Sequence, residues 1–199
     1  MREIIKALRL TLVLWVITAI MYPLAMILIG QVVFPFQANG SLLPNSQSPV
    51  GSALIGQPFV SDRYFYSRPS TTAYSTADPN TDKNNVLKTG VSGASNLAPS
   101  NPDLLKQVKE RASNLQQKGL NPTADLVYAS GSSLDPHISI EAANAQAERV
   151  ARTNILPLDM VQALISKNTE RRFLGIFGEP GVNVLKLNLA VDTLKAAAQ

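Results

Sequence analysis

An α+β domain carried on a single N-terminal transmembrane helix is the fold class that the sequence predicts, and three observations predict it. Leu10 to Ser61 contains no Asp, Glu, Lys or Arg, and its first half, Leu10–Gly30, is almost wholly apolar. The chain beyond it alternates between polar, Pro/Ser/Asn-rich stretches and segments with helical apolar spacing. Near the end, a Gly178-Glu179-Pro180-Gly181 turn precedes a Val/Leu-rich run that reads as a strand.

The apolar run sets the membrane topology. As a helix, Leu10–Gly30 measures about 31 Å at 1.5 Å per residue, against a hydrocarbon core of about 30 Å. A soluble core helix is shorter and keeps a polar face. A cleaved secretory signal also places basic residues ahead of an apolar run, but its apolar region spans about 7–15 residues and ends in small residues. Here the run is longer and closes with Val33-Phe34-Pro35-Phe36. An uncleaved anchor over residues 10–34 is the result. Arg2, Lys6 and Arg9 against the single Glu3 keep residues 1–9 in the cytoplasm and place the rest outside, because cytoplasmic flanks carry the excess of Lys and Arg. The expected location is the bacterial inner membrane.

Charge and composition then exclude several classes. The flank holds three of the 18 basic and one of the 14 acidic residues, leaving 15 against 13 beyond it, a net +2. No basic run interleaves with aromatics, so a nucleic-acid partner has no support. With no cysteine and one histidine, His137, the chain lacks a zinc-type ligand set and an H-E-x-x-H motif.

Element by element, residues 35–49, including Gln37 to Pro49, read as a linker, and residues 50–199 as the outer domain. Gly51 to Asn101 should be mostly loop. Asn101-Pro102-Asp103 starts a helix with Pro at its first position, and Leu104, Val108, Arg111 and Leu115 continue it until Gly119. Ser139 caps a second helix through EAANAQAERVAR, and a third covers Leu158 to Lys167. Val182, Val184, Leu187, Leu189 and Val191 alternate imperfectly around Leu185 and are expected to form the strand. In the membrane span, Thr11, Trp15, Thr18 and Tyr22 fall on one helical face, suited to a partner helix, and Pro23 predicts a kink.

Catalytic motifs fail at decisive positions. Gly51-Ser-Ala-Leu-Ile-Gly56 has P-loop glycine spacing, but Gln57-Pro58 stand where Lys and Ser/Thr must meet phosphate and magnesium. Neither G-x-S-x-G nor S-x-x-K occurs. The densest polar segment, Ala129 to His137, holds Ser130, Ser132, Ser133, Asp135 and His137 too close together for a Ser/His/Asp triad drawn from separate elements. It is expected to be a loop in which Asp135-Pro136 turns, His137 bonds nearby backbone, and Gly131 permits close approach of another chain.

Six ordered motifs carry a family resemblance: LIGQPF at 54–59, YFYSRPS at 64–70, SGASNLAPSNPDL at 92–104, DLVYASGSSLDPHIS at 125–139, AERVAR at 147–152 and GEPGVNVLKLNLAVD at 178–192. The chain resembles the C subunit of Kdp-type high-affinity potassium-transporting ATPases of bacteria over nearly its whole length. Ala94, Tyr128, Ser133 and Ile140 depart from residues usual in that family. The resemblance implies an accessory, non-catalytic subunit needed for assembly and activity. It also implies a catalytic chaperone that raises the ATP affinity of the ATPase subunit, reached indirectly through the membrane helices if the domain lies outside. Implied partners are a channel-like potassium-conducting subunit, a P-type ATPase subunit and membrane lipid. No cofactor is expected on this chain; ATP, magnesium and potassium belong to the complex. Expected contacts are Thr11, Trp15, Thr18 and Tyr22 in the membrane, and Gln57, Arg68, Asn96, Ser130, Gly131, Ser132, Asp135, His137 and Asn183 outside it, with no catalytic or metal site. The residues alone also admit an anchored envelope enzyme or ligand-binding module acting by itself.

Overall fold

The computed structural model describes residues 1–44, 50–76 and 90–197. Part of the expected linker (45–49), part of the expected loop half (77–89) and the last two residues lie outside the described residues. The chain divides into two compact units, Met1–Ser52 and Ala53–Gln199.

The first unit is built on one helix, Arg2–Val33, long and apolar enough to cross a membrane and with none of its side chains buried within the chain. It consists of α1 (Arg2–Val16), a π-helical turn (Ile17–Met21) and α2 (Tyr22–Val33). The irregular turn lies just ahead of Pro23, which lacks an N–H and whose ring collides with the carbonyl four residues back in an α-helix. Widening to i→i+5 bonding, with the Tyr22 N–H donating to Ile17 O, is one way around that conflict. Tyr22 opens α2 directly after that turn. The Thr18 hydroxyl donates to Leu14 O at 2.8 Å, within its own helix.

The stretch expected as linker is partly structured. Helix α3 (Pro35–Ala38) is closed by Gly40 at φ +81°, with Ser41 N donating to Phe36 O and Gly40 N to Gln37 O, a Schellman pattern. Strand β1 (Leu42–Leu43) then pairs antiparallel with β2 (Gly51–Ser52).

In the second unit, the described residues between Ala53 and Asn101 are mostly loop. Helix α4 (Pro102–Gln117) starts where Asn101 accepts from Asp103 N, and ends in a Schellman motif with Gly119 at φ +72°. Helix α5 (Ala124–Val127), strand β3 (His137–Ile138), α6 (Ile140–Asn154), α7 (Leu158–Lys167), β4 (Thr169–Glu170), β5 (Gly181–Asn183) and α8 (Val184–Ala197) come next. Ser139 caps α6 by accepting from Ala142 N at 3.1 Å. The sheet order is β3-β5-β4, all antiparallel. Alanines 142, 143, 147 and 151 make the buried face of α6 small, and Val150, Val161, Ile165, Val182, Leu187 and Val191 complete a continuous core around it.

The strand expected through Val191 is overturned after Asn183. Residues 184, 187 and 191 are buried at helical spacing, and the Asn183 side chain accepts from Lys186 N at 3.1 Å, which is N-cap geometry. The same amide donates to Ala53 O at 2.8 Å and is fully buried. Asn183 is thus a structural cap, not the exposed contact expected of it.

Phe65, also fully buried, sits in a segment, Asp62–Tyr66, that leaves a turn at residues 61–64 and belongs to no strand. Side chains from two helices satisfy its backbone. Asn188 of α8 accepts from Phe65 N at 2.8 Å and donates to Phe65 O at 3.0 Å. Gln146 of α6 accepts from Tyr66 N at 2.7 Å and donates to Tyr66 O at 3.4 Å. Arg149 donates to Asp62 O and Tyr64 O, and Asn154 to Arg63 O.

Two substitutions test this packing. Asn188→Leu strands two buried backbone groups of Phe65 and should cost about 2–6 kcal/mol in denaturant unfolding, at about 1–3 kcal/mol per unsatisfied group. Helix α6 closes with the same Schellman bonds as α4 but places Ile155 in the left-handed position, φ +59°, with its side chain 92% exposed. Ile155→Gly should therefore stabilise the domain by about 1 kcal/mol, since a left-handed non-glycine residue costs roughly that much.

Candidate functional site

The densest polar segment of the sequence folds into one wall of an open cleft of about 250 Å³. Arg68, Asp125, Asp135, His137 and Glu179 line it. Helix α5 supplies Asp125, strand β3 supplies His137, and Arg68 arrives on the loop that leaves the Asp62–Tyr66 segment.

Each of these side chains is held. Arg68 donates to Asp135 at 3.0 Å and lies 3.7 Å from Asp125. Asp125 also accepts from Ser139 N at 2.7 Å, tying α5 to the start of α6. Asp135 accepts from His137 N at 3.1 Å, which makes the expected turn at Pro136. The backbone ahead of the cleft is pinned by Tyr74, whose hydroxyl donates to Arg68 O at 2.5 Å. Burial pushes that phenol up to about 12. Ala73, Tyr74 and Ser75 are consecutive left-handed residues, and Ser70 Oγ holds this turn by accepting from the N–H groups of Thr72 and Tyr74.

His137 departs from expectation. Its Nε2 lies 3.1 Å from Glu170 on the far edge of the sheet, not on nearby backbone. Register explains the reach: His137 pairs with Asn183 and Glu170 with Gly181, and Gly181 leaves room for the imidazole to cross β5. A Cβ at Gly181 would meet His137 Cβ at 3.2 Å. Glu170 also accepts from Lys186 at 2.7 Å. Burial pushes the Glu170 carboxyl up, but the Lys186 hydrogen bond and the nearby His137 outweigh it and hold the group below its ordinary 4.5.

The serines sit behind the cleft. Ser133 is fully buried, accepts from Thr71 N at 2.9 Å and donates to Gly93 O at 2.6 Å. Ser130 is buried, with its N–H on Pro69 O, and Ser132 O accepts from Gly93 N at 3.1 Å. These bonds stitch residues 69–71 and 92–93 onto the 130–133 loop. The Asn96 backbone is left-handed at φ +52° and exposed. Gln57 O accepts from Ser67 at 2.9 Å.

At Gly131 a Cβ would meet nothing within 4 Å in this chain, so its own fold does not demand a glycine there. The glycine that the fold requires is Gly56. Its N–H donates to Leu134 O at 2.8 Å, and a Cβ on it would lie 2.5 Å from Asp135 O. The structure therefore brings Arg68, Asp135 and His137 together. It adds Asp125, Glu170, Glu179 and Lys186, which sequence reasoning missed although three of these four stand inside the six family motifs. Among the described residues, no group of three or more His, Cys, Asp or Glu side chains could hold a metal ion.

Comparison with known proteins gives a consistent picture. The profile of the family described as "KdpC: K+-transporting ATPase, c chain" matches residues 4–193. The chain is 64% identical over 196 residues to the potassium-transporting ATPase KdpC subunit 1 of a Nostoc species, covering 98% of this chain and 97% of that one. It is 62% identical over 206 residues to the KdpC subunit of Microcystis aeruginosa, covering 97% and 96%. Over 193 residues it is 47% identical to the KdpC subunit of Methylococcus capsulatus, covering 95% and 96%.

Two outcomes test the site. Gly56→Ala should displace the 134–137 loop and lower the unfolding temperature, whereas Gly131→Ala should leave it unchanged; equal effects would contradict the geometry. The depressed Glu170 carboxyl contributes stability above pH 4.5 that is lost as pH falls through its folded value. Glu170 is half exposed, so the contribution is below about 1 kcal/mol, and Glu170→Gln should flatten the acid limb of stability against pH by that amount.

Proposed function

The chain belongs to the KdpC family, the c chains of K+-transporting ATPases, and from that premise we propose that it is the accessory, non-catalytic subunit of an ATP-driven potassium-uptake complex in the bacterial inner membrane. Its partners in this reading are a channel-like potassium-conducting subunit and a P-type ATPase subunit. Residues 1–9 face the cytoplasm and the folded domain faces outward, in line with the excess of Arg and Lys ahead of the apolar helix.

The observation that carries the non-catalytic reading is how the cleft's polar groups are committed. Asp135 is spent on Arg68, His137 faces Glu170, Ser132 and Ser133 bond backbone, and the Ser130 hydroxyl meets that of Ser132. A Ser/His/Asp mechanism needs nucleophile, base and orienting carboxylate in sequence of contact, and here each goes elsewhere. What these groups do form is a rigid, charged surface, which suits docking against polar loops at the outer mouth of the potassium-conducting subunit. Asp135 adds negative charge there, although a carboxylate in water is worth only about 1 kcal/mol to a cation at 4 Å, so positioning outweighs attraction. An influence on ATP affinity reaches the cytoplasmic side through the membrane helices in this arrangement, with Thr11, Trp15, Thr18 and Tyr22 as the helix face that meets a partner.

Two experiments check these statements. Detergent extraction with a C-terminal tag should recover a P-type ATPase chain and a large polytopic chain; recovery of this chain alone would favour the independent envelope module. Because the native chain has no cysteine, Ser100→Cys should react with an impermeant thiol reagent in intact inner membranes and Lys6→Cys should not. The reverse pattern would invert the topology.

A further inference from the structure

The segment between β4 and β5 presents its apolar side chains outward. Phe173, Leu174, Ile176 and Phe177 are 70%, 73%, 73% and 61% exposed, although the core of the same unit is intact. The turn that carries them is closed on itself. Phe173 N donates to Phe177 O at 2.8 Å, Phe177 N to Phe173 O at 3.0 Å, Gly175 N to Arg172 O at 3.0 Å and Ile176 N to Phe173 O at 3.2 Å. Leu174 and Gly175 take left-handed conformations to make the tip. At its base Arg172 is clamped to both carboxylate oxygens of Glu179, at 2.9 and 3.0 Å, and Arg171 stands exposed beside it.

We propose that this hairpin tip is a second membrane contact of the chain, inserting Phe173, Leu174, Ile176 and Phe177 into the bilayer interface with the two arginines at headgroup level. Three features favour lipid over a protein pocket. The four side chains are bare to a similar degree, as an isotropic apolar medium accommodates and a one-sided protein surface does not. The backbone N–H groups of residues 173, 175, 176 and 177 are satisfied within the turn, a requirement for entering hydrocarbon that an aqueous loop does not face. Aromatic and aliphatic side chains above cationic ones match the pattern of interfacial anchors on anionic leaflets. The spanning helix Arg2–Val33 tethers the domain to a bilayer in any case, so the contact forms at high effective concentration.

The test uses the full chain in vesicles of phosphatidylcholine and phosphatidylglycerol. A polarity-sensitive fluorophore is placed on Leu174→Cys and, as a control, on Ile155→Cys, which is at least as bare but distant in sequence. Lipids carrying a nitroxide near the headgroup should quench position 174 about threefold or more relative to position 155, as expected of a group seated at the interface. Adding Ile176→Asp should abolish the difference while leaving the position 155 signal and the unfolding transition unchanged. Equal quenching at the two positions overturns the proposal. So does a tip shielded from aqueous iodide but not quenched from lipid, a result that assigns it to a protein pocket.

Discussion

The segment Asp62–Tyr66 is the piece on which the second unit depends. It lies outside every sheet, yet Phe65 and Tyr66 are buried, so their backbone groups have no strand neighbours and are shut off from solvent. Gln146, Arg149 and Asn154 from α6 and Asn188 from α8 take the place of a ladder. Each such bond adds about 0.5–1.5 kcal/mol net, but leaving a buried group unmade costs about 1–3 kcal/mol. The segment and the two helices therefore form or fail together. Arg149 lies over the Tyr66 ring as well, its charge carried by carbonyl oxygens and an aromatic face in place of a full counter-ion.

The surface built on that clamp is charged and has little freedom. Arg68 lies two residues after the clamped segment, and Tyr74, Ser70 and Ser133 fix the backbone at and after it. Across the sheet, Gly181 is the gap that lets His137 reach Glu170. A surface whose side chains are already paired meets a partner without first ordering them, which lowers the entropic cost of association. The first unit presents the opposite case, a helix long and apolar enough to cross a membrane with no side chain buried within the chain.

Capping and local spacing made α4, α6 and α7 legible: Asn101 and Ser139 act as caps, and the Leu158–Lys167 span is as expected. The same logic failed at α8, because Val182 to Val191 is apolar enough to mimic a buried strand. The signal that separates the two is Asn183, whose role as a cap was hidden by its place in a Val-rich run. Gly56 shows a complementary limit: its place in a loop gives no sign that Asp135 O lies where a Cβ would go, which only three-dimensional neighbours reveal.

The sequence by itself determined the long apolar helix, the family and most helix limits, since these rest on local quantities: the length of an uncharged apolar run, motif order and capping residues within one or two turns. Tertiary structure alone decided which polar residues meet. Arg68 and Asp135 are 67 residues apart, Phe65 and Asn188 are 123 apart, and His137 reaches Glu170 across a third strand. Such pairings depend on the register of β3, β5 and β4 and on where an unpaired segment threads between helices. Neither leaves a periodic trace in the chain, because a hydrogen bond between distant residues constrains two side chains and the space between them, not the residues adjoining either one.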